Sequence, residues 1–132
     1  MNRLITDLLK RNTFNEIDIR FADFIYQLDG NDDADMFLSA ALVSNVTAGG
    51  DICLDLNRFT QQMLTTGPDN PDAIICPTLP VWLEKLTDSA VVGKPGEFRP
   101  LILDGQNRLY LYRYWNYQKR VRYSHNKRRH IT

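Results

Sequence analysis

A chain of 132 residues, 43% hydrophobic and 24% charged, has one domain's length and the composition of a folded globular protein, not of a disordered one. No uncharged apolar run approaches the roughly 20 residues of a membrane span, and Met1–Arg11 alternates apolar and polar groups unlike a secretion signal, so the expectation is a cytoplasmic protein without a membrane partner. The formal net charge of zero conceals two poles, because Met1–Gly105 carries 16 acidic against 8 basic residues while Gln106–Thr132 carries 8 basic and no acidic ones. Either the basic end lies on the acidic body or it offers a patch to nucleic acid or an acidic partner.

Met1–Arg11 is predicted to be a short helix, with Leu4, Ile5, Leu8 and Leu9 at helical spacing. A second helix is expected over Ile17–Leu28, with Ile17, Phe21, Phe24, Ile25 and Leu28 as a core-facing stripe and Arg20, Asp23 and Gln27 outside. Asp29–Gly30–Asn31 stops it. A third helix, Ala34–Asn45, is capped by Asp32 or Asp33 and is apolar nearly all round from Met36 to Val43, the pattern of a helix buried on more than one side. After Gly49–Gly50, residues Ile52, Leu54 and Leu56 alternate as a short strand would, and Asp55 or Asn57 can cap a short helix through Leu64.

Thr65–Pro77 reads as a loop broken by Gly67–Pro68 and Asn70–Pro71. Thr78 and Pro80 announce a helix with Leu79, Trp82, Leu83 and Leu86 as its apolar face. Val91–Val92 suits a short strand, and Lys94–Pro95–Gly96 a turn. Two apolar runs, Leu101–Leu103 and Leu109–Tyr112, flank the turn-forming Asp104–Gly105–Gln106–Asn107, which predicts a β-hairpin. A last helix is expected over Trp115–His125. The fold class is therefore α+β: a small, mainly helical domain with a C-terminal β-hairpin, with or without one further short strand pair. Residues 1–125 form the domain, and 126–132 are a basic tail that frays.

Chemistry is hard to place on this pattern. A phosphate-binding loop needs Gly-x-x-x-x-Gly-Lys-Ser/Thr, yet only Gly93 is followed by Lys, and Pro95 comes next. In Asp29–Asp35, residues Asp29, Asn31 and Asp33 fit the first three ligand spacings of a calcium loop, but Ala34 and Ala40 stand where Gly and Glu are required. His125 and His130 have no neighbouring ligands for zinc. Cys53 and Cys76 form no CxxC and read as buried thiols. No catalytic residue, metal or cofactor is expected. What remains is a block in which Tyr110, Tyr112, Tyr114, Trp115, Tyr117 and Tyr123 interleave with Arg108, Arg113, Lys119, Arg120 and Arg122. Its aromatics can complete the core, anchor a protein interface, or stack on single-stranded bases while the cations meet phosphates. The candidate interaction surface is Arg108, Tyr110, Tyr112, Arg113, Trp115, Tyr117, Lys119, Arg120 and Arg122.

The segment Pro100–Val121 (PLILDGQNRLYLYRYWNYQKRV) resembles the close of the N-terminal domain of RecD, the alpha subunit of exodeoxyribonuclease V, the RecBCD helicase–nuclease. In that family a P-x-I-L-x-G-x-x-L-Y-L-x-R-Y/M-W segment comes shortly before the ATPase motor. Ile19–Ala22 is similar to its D-x-x-F-A helix, Leu38–Ser44 to its L-A-A-L-L-S helix, and Asp51–Leu56 to its H-V-C-L-P-L strand, with Asp51 for His and Asp55 for Pro. The resemblance implies a non-catalytic front end of an ATP-dependent DNA helicase subunit of double-strand-break repair and recombination. In that family the domain docks the motor onto RecC, so a RecC-type subunit is the implied partner and DNA only a weak one. The alternative is a stand-alone module that binds single-stranded nucleic acid through the aromatic–basic segment.

Overall fold

The computed structural model describes residues 14–63 and 74–115. The helix expected over Met1–Arg11, most of the Thr65–Pro77 loop, all but the start of the Trp115–His125 helix and the tail 126–132 lie outside the described residues. Helix α1 spans Glu16–Asp29 and helix α2 Ala34–Ala48. Strand β1 is Leu54–Asp55, followed directly by the single turn α3, Leu56–Phe59. Helix α4 spans Leu79–Asp88, and strands β2, β3 and β4 are Val92–Gly93, Leu101–Leu103 and Arg108–Leu111. The class is α+β, mainly helical, as the pattern predicts.

Local chemistry explains where the helices stop and start. Gly30 ends α1 with φ of 74°, a left-handed conformation that costs glycine nothing, while its N–H closes the last turn on the Tyr26 carbonyl. Asp33 caps α2 by accepting the Asp35 N–H at 2.9 Å. Residues Met36 to Val43 are all buried, so α2 is the centre of the core. Helices α1 and α4 and strands β1 and β4 pack around it.

Trp82 fastens α4 to that centre. Its ring is fully buried, and Nε1 donates to Ser39 Oγ at 2.7 Å, which in turn donates to the Asp35 carbonyl at 2.6 Å. A tryptophan can be buried this deeply because its one polar atom is satisfied. On the same side Lys85 pairs with Asp33 and Asp35 at the start of α2. The hydrogen bond to Asp35 raises the Lys85 pKa, against the opposing effect of burial.

The strands form one four-stranded sheet in the order β1-β4-β3-β2. The predicted hairpin is its centre, with antiparallel β3 and β4 registered Leu101↔Leu111, Ile102↔Tyr110 and Leu103↔Leu109. The further strands join this sheet at its edges: β1 runs antiparallel to β4 and β2 parallel to β3. The alternating strand expected from Ile52 to Leu56 is shorter than that. Ile52 is 42% exposed, and Asp55 accepts the Asn57 N–H at 3.0 Å, which turns the chain helical at Leu56. Gly93 is required by close approach, since a Cβ there would lie 2.5 Å from the Arg99 side chain.

One expected core face is wrong. Of the stripe Ile17, Phe21, Phe24, Ile25 and Leu28, only Ile25 is buried, while Ile17, Phe24 and Leu28 are 69%, 59% and 52% exposed. Asp18, Ile19, Ala22 and Ile25 face inward instead. The carboxylate of Asp18 explains the rotation. It is fully buried and accepts from Ser44 Oγ at 2.6 Å, Asn45 Nδ2 at 3.1 Å and the Asn15 N–H at 2.9 Å. Three donors make a buried carboxylate tolerable, and turning α1 to bring Phe24 inward would forfeit two of them. Asp18 directly precedes the Ile19–Ala22 segment, and Ser44 closes the Leu38–Ser44 one.

Replacing Asp18 with alanine should therefore lower stability by about 3 kcal/mol, because it strands buried donors on both helices. Arg20→Ala, which breaks an exposed ion pair with Glu16, should leave the midpoint where it is. Urea unfolding of the two variants checks both.

Candidate interaction surface

The hairpin turn is built by one side chain. Asp104 accepts the N–H groups of Gln106 at 2.9 Å and Arg108 at 3.0 Å, the Arg108 Nε at 2.8 Å and, at 3.3 Å, the hydroxyl of Tyr110. Asn107 takes a left-handed φ of 62°, which asparagine tolerates. Burial pushes the Asp104 carboxyl upward, but the hydrogen bonds and charge of Arg108 and the Gln106 N–H outweigh it, so its pKa ends below the usual carboxylate value. Tyr110 goes the other way, to about 12, first through burial and then through the nearby Cys53 and Asp104. It stays protonated and can donate to Asp104.

The structure divides the candidate residues among different roles. Arg108 is half-buried and committed to Asp104. Tyr110 is buried to 1% exposure, with its ring edge-on to half-buried Trp115 at 5.1 Å. Tyr112 and Arg113 reach the surface, and the Arg113 guanidinium stands 5.2 Å from the Tyr114 ring. Tyr117, Lys119, Arg120 and Arg122 lie outside the described residues. Residues 112–115 are already helical, so the strand ends at Leu111, one residue before the run Leu109–Tyr112 suggested. The Tyr112 N–H still bonds the Pro100 carbonyl at 3.0 Å, which holds the start of that helical turn against the sheet.

Sequence reasoning missed Phe98. It is 82% exposed, and its ring meets Tyr112 edge-on, 4.7 Å between centroids. The signal was present, because a lone aromatic among Lys94, Pro95, Glu97 and Arg99 belongs to no core periodicity. Phe98 and Tyr112 thus make an aromatic pair at the edge of the sheet, and the Arg113–Tyr114 contact follows directly in the chain. A cleft of about 340 Å³ lies between the β2–β3 loop and the hairpin turn, lined in part by Val92, Lys94, Pro95, Leu103 and Asp104. Both carboxylates of its lining are engaged locally, Asp104 in the hairpin turn and Glu97 as acceptor of the Lys94 N–H at 2.7 Å. Among the described residues no group of three or more His, Cys, Asp or Glu is placed to hold a metal ion. No helix among them is long and apolar enough to cross a membrane. Cys76 is buried and Cys53 half-buried, and burial raises both thiols, Cys76 to about 12.

Fold and surface together define a small α+β domain whose described side chains build packing and turn contacts, with an aromatic pair at one edge. The family model of the RecBCD enzyme subunit RecD, N-terminal domain, matches residues 10–110, well over half of the chain, and the chain belongs to that family. No curated protein matches the chain significantly.

The depressed carboxyl of Asp104 makes the hairpin acid-sensitive. An unfolded aspartate binds its proton near about pH 3.9, and the folded one only below that. Its contribution is complete above that pH and drains away as pH falls through the lower folded value. Asp104→Asn should therefore be less stable than the parent at pH 7, by about 1–2 kcal/mol for the lost charge-assisted bonds, and the gap should close as pH falls below 4. Urea midpoints measured across that range read the difference.

Proposed function

We propose that this chain is a docking domain of a RecD-type ATP-dependent DNA helicase subunit, the part that attaches the motor to a RecC-type subunit in a RecBCD complex. The observation that carries the reading is exposed Phe98, set edge-on against half-buried Tyr112, on a domain of the RecD N-terminal family. Aromatic and arginine side chains at a surface are the residue types that anchor protein interfaces. The Asp104 carboxylate is spent on the hairpin turn.

The single-stranded nucleic-acid reading draws on the same segment, but two of its members are committed elsewhere. Arg108 neutralises Asp104, and the Tyr110 ring is inside. A strand-binding groove needs cations free to meet phosphates and rings free to stack.

The chain should co-elute with its cognate RecC-type subunit, and the complex should persist when salt is raised to about 0.5 M, where phosphate contacts fade steeply. Phe98→Ala with Tyr112→Ala should weaken it by at least about 10-fold. No complex from a folded chain, or single-strand binding that vanishes with salt, would overturn the docking reading.

A further inference from the structure

We draw no further inference here: the strongest candidate, the cleft of about 340 Å³ between the β2–β3 loop and the hairpin turn, sets Lys94 against the carboxylates of Glu97 and Asp104 beside apolar Val92, Pro95 and Leu103, so its charge selects no occupant and nothing in the structure shows what covers it.

Discussion

Every residue from Met36 to Val43 is buried, so helix α2 has no face along that run that it can leave to water, and α1, α4, β1 and β4 are arranged as its cover. Small side chains at Ala40 and Ala41 bring neighbours close, and the sheet reaches α2 through β1 and β4. Burial of this kind is nondirectional and would tolerate several rotations of the covering helices. Polar contacts remove that freedom. Trp82 registers α4 through Ser39, and Asp18 registers α1 through Ser44 and Asn45. Each is a buried donor–acceptor match that a different rotation would leave unmet, which is costlier than exposing part of a hydrophobic stripe.

The surface follows from those locks. Helix α1 carries a broader apolar arc than α2 can cover, and Asp18 decides which part of it stays dry. The remainder, Ile17, Phe24 and Leu28, is displayed to solvent on the acidic part of the molecule. At the sheet, Asp104 settles the hairpin turn and consumes Arg108, so this part of the basic pole is neutralised internally before any partner arrives. The two poles of the sequence are thus coupled within the fold, and what reaches the surface at the hairpin is aromatic as much as cationic.

Much of this was legible in the residues. Gly30, Asp33, Thr78 and Pro80 mark helix ends by their own stereochemistry, so α1, α2 and α4 fall close to their expected places. The turn composition at Asp104–Asn107 marks the hairpin in the same way. The rotation of α1 was not legible, because an aspartate inside an amphipathic pattern is ordinarily assigned to solvent, and its donors come from residues 26 and 27 positions further on. The parallel pairing of β2 with β3, Val92 beside Leu101, was not legible either, because the turn composition at Lys94–Gly96 does not by itself set the direction in which the chain returns. Tyr110 and Tyr112 differ for a subtler reason. Strand alternation would put them on one face, but the chain leaves the strand after Leu111, and only Tyr110 is carried into the core.

The claim on which the rest depends is that α1 faces the core with Asp18, Ile19, Ala22 and Ile25 and faces solvent with Ile17, Phe24 and Leu28. Hydroxyl-radical footprinting of the free chain, read residue by residue, tests it without altering the protein. The account predicts rapid oxidation of Phe24 and Leu28 and strong protection of Ile19 and Ile25. Protection of Phe24 together with oxidation of Ile25 would mean that the helix is turned the other way, and the buried contacts of Asp18 could not be as described.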